Sequence, residues 1–293
     1  MIEKKISPTI LVTGANGQLA SELRELSSNF PRFQFLFTSK EDLPIENWNE
    51  LTSFFQNQPI HYCINCAAYT AVDKAESDSE NAYLINAEAV GNLAAICKMN
   101  GAKFIHISTD YVYDGSKRIP LKETDATSPK NVYGSSKLKG EKLALEYNPS
   151  SIIIRTSWVY SSYGSNFVKT MLRLFKEKEE LKVVSDQIGS PTYAADLASV
   201  IMLFIQKNDA GENFSGIFNY SNNGITNWYE FALAIKEFSN SHCNIQPVSS
   251  SIYVTPAERP LYSVMDTTKV KKSLQIDIPF WKDSLKKCID KLA

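Results

Sequence analysis

A chain of 293 residues with 31 Lys+Arg against 32 Asp+Glu has a formal charge of -1, which leaves no basic footprint for nucleic acid and no polybasic patch for a membrane surface. The length suits one large α/β domain or two unequal ones with a sizeable core. Apolar runs such as Ala198 to Ile205 fall well short of the roughly 20 residues that span a bilayer, so the expected partner is a small molecule.

The start, MIEKKISPTILVTG, mixes charges and runs into a strand without an apolar leader core or a small-residue cleavage site. Five scattered cysteines, Cys63, Cys66, Cys97, Cys243 and Cys288, fit reduced thiols better than a disulfide framework. Both features predict a cytoplasmic protein. The CINC at Cys63 to Cys66 has redox spacing, but it ends an apolar run instead of opening a helix. His61, His106 and His242 are far apart without paired spacing, and no metal site is predicted.

From Thr9 to about Thr156, short β-rich runs alternate with longer helical patterns, the signature of a parallel sheet built from βαβ units. The predicted strands are Thr9 to Val12, Phe33 to Phe37, Ile60 to Cys66, Lys103 to Ser108 and Ile152 to Thr156. Between them, helices are predicted over Gln18 to Leu26, Asn49 to Asn57, Glu80 to about Gly101, where the glycine is a plausible C-cap, and Asn131 to Leu145. Right-handed crossovers between parallel neighbours make a doubly wound, Rossmann-type sheet the economical fold. After Thr156 the rhythm loosens, with helices predicted near Asn166 to Glu180, Tyr193 to Lys207, Asn227 to Ser239 and Trp281 to Leu292. SSYGSN, SNNG and TPAERP read as turns or irregular chain. The expected organisation is a dinucleotide-binding domain from residues 1–160 plus about 186–222, and a smaller, irregular lobe from about 161–185 plus 223–293.

GANGQLA, Gly14 to Ala20, follows the first strand and opens a helix. Glycines there let backbone N–H groups approach a pyrophosphate, and the helix N-terminus adds about half a positive charge. Gly14, Asn16 and Gly17 are therefore predicted in a dinucleotide loop, although the spacing is G-x-x-G-x-x-A instead of the usual G-x-G-x-x-G. The second strand runs into Thr38, Ser39 and Lys40 before any acidic residue; hydroxyls and a cation there favour NADPH over NADH. Ala67 and Ala68, after the third strand, are small enough for a cofactor to lie against the backbone. Ser108, Thr109 and Asp110 end the fourth strand, where open α/β sheets bind ligands.

In NVYGSSKLKGEK, Tyr133 precedes Lys137 by four residues, which on a helix puts both side chains on one face. A free tyrosine titrates at about 10, and a neighbouring ammonium lowers that value. The pair is predicted to be a proton donor with a depressed pKa, and Gly134 to Ser136 are predicted to keep its face open for the cofactor. The bland alternative is a solvated helix start.

With the glycine loop, Thr109 and Tyr-x-x-x-Lys in place, the chain resembles the extended short-chain dehydrogenase/reductase family. GQLA, AAYTAVDKAE, STDYVYDG, ETDATSPKNVYGSSKLKGE, RTSWVY, NFVKTML, DQIGSPT and TPAERP further resemble, in order and spacing, the dTDP-4-dehydrorhamnose reductase branch of that family. The resemblance implies cofactor contacts from Gly17, Gln18, Leu19, Ala68, Tyr69 and Thr70, with Tyr133 and Lys137 at the nicotinamide ribose. It also implies that Thr109 assists the tyrosine at the sugar carbonyl, that Asp110 and Trp158 hold the sugar nucleotide, and that Arg259 forks onto its diphosphate. A dTDP-sugar substrate and NADPH follow, with NADH as a second donor and the irregular lobe as the substrate lobe. Two departures stand out: Pro44 replaces an Asp common at the adenine side, and Ala195 replaces a glutamate that helps some members bind magnesium between subunits. A monomer or weak homodimer without a bridging metal is therefore expected. Rival readings are a nucleotide-sugar epimerase or dehydratase, and a non-catalytic regulatory subunit of the methionine adenosyltransferase type.

Overall fold

The computed structural model describes residues 7–292; the charged start of the segment weighed as a leader, residues 1–6, lies outside the described residues. In chain order the first half runs β1 (Thr9–Thr13), α1 (Gln18–Leu26), β2 (Gln34–Thr38), α2 (Trp48–Asn57), β3 (Ile60–Asn65), α3 (Val72–Ala75), α4 (Ser79–Tyr83), α5 (Ala89–Met99), β4 (Lys103–Thr109), α6 (Val132–Tyr147) and β5 (Ile152–Thr156). The second half runs β6 (Val159–Tyr160), α7 (Phe167–Glu177), β7 (Glu180–Val184), β8 (Ile188–Gly189), β9 (Thr192–Tyr193), α8 (Ala194–Asp209), β10 (Gly216–Asn219), β11 (Thr226–Asn227), α9 (Trp228–Phe238), β12 (Asn244–Val248), α10 (Thr268–Leu274) and α11 (Trp281–Asp290).

Six parallel strands form the main sheet in the order β10-β5-β4-β3-β1-β2. Alternate side chains of a strand point to opposite faces, and both faces are covered here. Ile10, Val12, Ile64, Ile105 and Ile154 pack with α1, α8 and α10 on one side. Leu11, Cys63, Phe104 and Ile153 pack with α2, α5 and α6 on the other. This sandwich is the doubly wound sheet predicted from the sequence. The chain leaves β1 toward β2 and returns to β3 on the opposite flank, so the strand order reverses between β1 and β3, where such sheets open a ligand crevice.

The sixth strand, β10, was not foreseen: its four residues, GIFN, follow a glycine-punctuated turn and carry no periodicity of their own. The long helix expected up to Gly101 is instead α4, a π-helical turn over Leu84–Glu88, and α5. That turn sets Asn86 against α6, where its Nδ2 donates to Ser136 Oγ (3.0 Å) and to Tyr69 O (3.0 Å). Gly101 does close α5, with φ 68 and Ala102 N–H donating to Cys97 O at 2.8 Å.

A separate apolar cluster joins Tyr160, Val168, Met171, Phe231, Ile235, Trp281 and Leu285. Around it lie three two-stranded ladders, β7 with β12, β6 with β9 and β8 with β11; the strands of the last two have only two residues each, too few to leave a pattern in sequence. The five cysteines are free. No helix among the described residues is long and apolar enough to cross a membrane.

Candidate active site

The carboxyl ends of β1, β3 and β4 open into a cleft of about 900 Å³. Gly14, Asn16, Gly17, Gln18, Leu19, Ser39, Lys40, Ala67, Ala68, Tyr69, Thr70, Thr109, Asp110, Tyr133, Lys137 and Trp158 all line it. Arg259, also singled out from sequence, is not among the lining residues.

Gly14 is a position that only glycine fits. Its φ is 70, and a Cβ there would lie 2.6 Å from Ala67 N, so β1 and the segment after β3 meet through bare backbone. Gly17 begins α1, and no side chain caps its amino end. The helix N-terminus is thus open to an anion in the cleft. At the end of β2, Lys40 is 73% exposed and lies 3.4 Å from Glu46, which also lines the cleft, so the lysine shares this edge with a carboxylate. Pro44 stands between Leu43 and Ile45, both buried and both on the cleft wall; the apolar surface at this side survives the departure.

The catalytic-type residues come from β4 and α6. Asn131 caps α6 by accepting from Gly134 N–H at 2.7 Å, while its Nδ2 donates to Glu258 O at 2.7 Å, tying the helix start to the TPAERP segment. The Tyr133 ring meets the Tyr111 ring edge to face, centroids 5.7 Å apart. Gly134 and Ser136 do not keep the face open. A Cβ on Gly134 would lie 2.3 Å from Tyr111 O, so this glycine lets α6 press onto the turn after β4. Ser136 is taken up by Tyr133 O and Asn86.

The predicted depression of the tyrosine is also corrected. Burial pushes the Tyr133 phenol up to about 12, partly offset by a hydrogen bond with Thr109 and reinforced by the Asp110 charge. Lys137 Nζ turns instead to Ile107 O at 2.6 Å and His106 Nε2 at 3.3 Å, and burial brings it down to about 8. The i, i+4 spacing put both groups in one cleft without giving them a direct bond. Desolvation dominates until ligands supply partners.

Thr109 Oγ1 donates to Asp110 Oδ1 (3.1 Å) and accepts from Tyr111 N–H (3.2 Å). Asp110 is buried, its Oδ2 has no partner, and burial raises its carboxyl to about 6. A hydrogen bond with Ser263 partly offsets that rise, and an acceptor left unpaired beside a cleft is suited to a ligand hydroxyl. Trp158 stands in the left-handed region at φ 48, its ring flat against Trp228 with centroids 3.7 Å apart. Gly189 makes room for this pair, because a Cβ there would come 2.7 Å from the Trp158 ring.

Arg259 is committed elsewhere. Its NH2 donates to Asp73 Oδ2 at 2.7 Å and its NH1 to Asp73 Oδ1 at 3.0 Å and Thr255 Oγ1 at 2.6 Å. The guanidinium expected to fork onto a diphosphate holds the TPAERP segment to α3 in this structure.

Residues 8–293 match the family described as RmlD substrate binding domain. The chain belongs to that family. It is 40% identical over 285 residues, 94% of this chain and 97% of the relative, to a dTDP-4-dehydrorhamnose reductase of Aggregatibacter actinomycetemcomitans. It is similar to the crystal structure of a dTDP-4-dehydrorhamnose reductase from Clostridium acetobutylicum, with a TM-score of 0.92, 40% identity, and coverage of 97% of this chain and 99% of that one. A dTDP-4-dehydrorhamnose reductase of Bacillus anthracis, solved in complex with NADP, superposes with a TM-score of 0.93 at 38% identity, covering 98% of this chain and 100% of that one.

Several residues of this RmlD-family cleft escaped the sequence reading. Trp228 lines it beneath Trp158; it opens α9 after an Asn227 cap, but nothing in sequence brings it across to Trp158. Behind the cleft, Glu141 Oε2 and Arg155 NH2 form a buried pair at 2.6 Å, joined by Ser108 Oγ at 2.5 Å from Glu141 Oε1. A lone arginine inside the apolar run IIIRT was the available signal, since a charge in a central strand needs a partner.

Proposed function

We propose that this chain reduces the C4 ketone of dTDP-4-dehydro-6-deoxy-L-mannose to dTDP-L-rhamnose with NADPH, a step in making deoxysugar precursors of polysaccharides. The observation that carries the reading is the convergence of Thr109, Asp110, Tyr133, Lys137 and Trp158 in one cleft with an uncapped glycine turn. The relatives' names and the NADP complex of the Bacillus anthracis enzyme support it.

The residues fit a dinucleotide: the space at Gly14 that a Cβ would fill and the open start of α1 suit a pyrophosphate. When bound, NADPH supplies the hydride; NADH is a second donor, and the Lys40 and Glu46 pair sets the balance between them. The protein orients the sugar and provides the proton. Tyr133 gives its phenol proton to the oxygen of the reduced ketone, which leaves a phenolate. A phenol pushed up to about 12 holds that proton until an alkoxide, a much stronger base, forms beside it. Thr109 steadies the phenol, Lys137 offsets the phenolate charge, the free Asp110 oxygen accepts a sugar hydroxyl, and Trp158 carries the sugar on its face.

Residues 1–160 plus about 186–222 act as the dinucleotide-binding domain, with α10 packed onto its sheet, and about 161–185 plus the rest of 223–293 act as the substrate lobe. The protein works in the cytoplasm as a monomer or weak homodimer without a bridging metal; a metal-dependent dimer on gel filtration with and without EDTA would contradict the last point. The deciding assay is oxidation of NADPH and NADH with enzymatically prepared dTDP-4-dehydrorhamnose, followed by product identification. Stoichiometric NADPH consumption excludes an epimerase or dehydratase, which regenerate their cofactor. No consumption, together with co-purification of a synthetase subunit, would favour the regulatory reading.

A further inference from the structure

A buried line of polar groups runs behind Lys137, away from the cleft. Ala67 N–H donates to Asn65 Oδ1 at 3.1 Å, and the Thr13 hydroxyl donates to the same oxygen at 2.7 Å. A backbone N–H cannot accept, so the oxygen is the Asn65 atom that faces it, and the NH2 must turn the other way. There it lies 3.1 Å from His106 Nδ1. An amide NH2 only donates, so Nδ1 carries a lone pair and the single imidazole proton resides on Nε2. His106, Asn65 and Thr13 are all at most 1% exposed, so this assignment is set inside the core, away from bulk solvent.

His106 Nε2 is 3.3 Å from Lys137 Nζ. An ammonium has three protons and no lone pair, whereas an amine has one lone pair. The Nε2–H can therefore bond the uncharged amine but only oppose the ammonium. We infer that His106 is a positioning residue whose fixed Nε2–H, aimed at the Lys137 nitrogen, favours the amine form of that lysine over the ammonium. The inference rests on the proposed reductase reading, in which Lys137 offsets the charge of the phenolate left on Tyr133. Lys137 and Tyr133 share the cleft without a direct bond, so the bias acts on the charge that the lysine presents beside the phenolate and not on a proton passed between the two.

The other groups around Lys137 do not reverse this. Cys66, after β3, is a thiol pushed far up by burial. Glu141, one turn along α6, favours the ammonium but is held by Arg155 on β5. Ile107 O, on β4, accepts from Nζ in either protonation state, and Tyr133, one turn before, is a neutral phenol pushed up to about 12. Burial and the Lys137 charge both hold His106 well below its ordinary range, so it stays neutral. A purely structural role, filling the space beside Phe104 (ring centroids 6.1 Å apart), would be indifferent to tautomer.

Two measurements on the full chain test the inference. In protein labelled with ¹⁵N-histidine, long-range ¹H–¹⁵N correlation is expected to show His106 as the Nε2–H tautomer from about pH 6 to about pH 9; the Nδ1–H tautomer or an imidazolium overturns it. In protein labelled with ¹³C-lysine, His106→Leu is expected to raise the Lys137 midpoint by about one pH unit, because the partner of the amine is gone. An unchanged or lower midpoint overturns it. Should the leucine variant fail to fold, the wild-type Lys137 midpoint decides, and a value at or above the ordinary range of about 10.4 overturns the inference. Neither readout needs turnover: absence of ketosugar reduction by the wild type would defeat the functional reading while these results stand independently.

Discussion

Trp158 and Trp228 lie face against face, ring centroids 3.7 Å apart and planes inclined by 13°. The residues come from opposite sides of the second half of the chain, one following β5 and one opening α9. Gly189 and the left-handed backbone of Trp158 both serve this contact. Such a platform orients a ligand that leans on it.

Trp228→Leu is expected to loosen Trp158 without touching the proton donor. An aromatic pair contributes about 0.5–1.5 kcal/mol beyond its buried area, which corresponds to a rise in KM for the sugar nucleotide of roughly 2- to 10-fold. Steady-state kinetics should show kcat nearly unchanged and KM for NADPH unaffected. A loss confined to kcat would place Trp228 outside the substrate site.

Tyr133→Phe removes the proton and little else, since the ring's edge-to-face contact with Tyr111 is kept. Turnover should fall by about 10²- to 10⁴-fold, while NADPH binding, followed by fluorescence titration, stays within about two-fold of wild type. Near wild-type turnover would rule out this residue as the donor.

Asp110 is a functional group kept at the expense of stability. Its folded value, about 6, is above the ordinary 3.8 because of burial. The folded state therefore holds its proton more tightly, and stability falls as pH rises between those two values. Above about pH 6 the full penalty is present, on the order of 3 kcal/mol. Asp110→Asn should thus melt higher than wild type at pH 7.5 or so, with the difference vanishing near pH 4, while sugar-nucleotide turnover drops. Equal melting curves at both pH values would mean that the carboxylate is not strained.

What was legible in the sequence is what periodicity and local turn chemistry encode. IIIRT and IHYCIN are continuous apolar runs because their strands are covered on both faces. Gly14 announced itself because the backbone of another strand passes where its Cβ would be. The two-residue strands β6, β8, β9 and β11 gave no sign because two residues carry no period, and β7 was hidden because the helix read from Asn166 was run on into its first residue, Glu180. Of the residues named for the site, all but Arg259 share the cleft, and Trp228 was missed. The site was not read to the level of bonds: Arg259 faces Asp73, and Lys137 faces His106 and a carbonyl. Charge partners depend on which loops meet, and spacing along one helix does not contain that.

The Arg155 and Glu141 pair is where a single change should be most costly. Both side chains are 2% exposed, and Arg155 also reaches the Tyr113 hydroxyl at 2.8 Å while Glu141 accepts from Ser108. β4, β5 and α6 are thereby pinned immediately behind Thr109 and Lys137. Removing one partner leaves a buried charge alone, at a cost of about 3–5 kcal/mol. Arg155→Met and Glu141→Leu should each lower the midpoint of urea unfolding accordingly, and each should reduce activity because α6 carries Tyr133. The double variant leaves no orphaned charge and should recover much of the lost stability, giving a favourable coupling in the mutant cycle. Additive losses would show instead that the two residues act through their separate neighbours and not through each other.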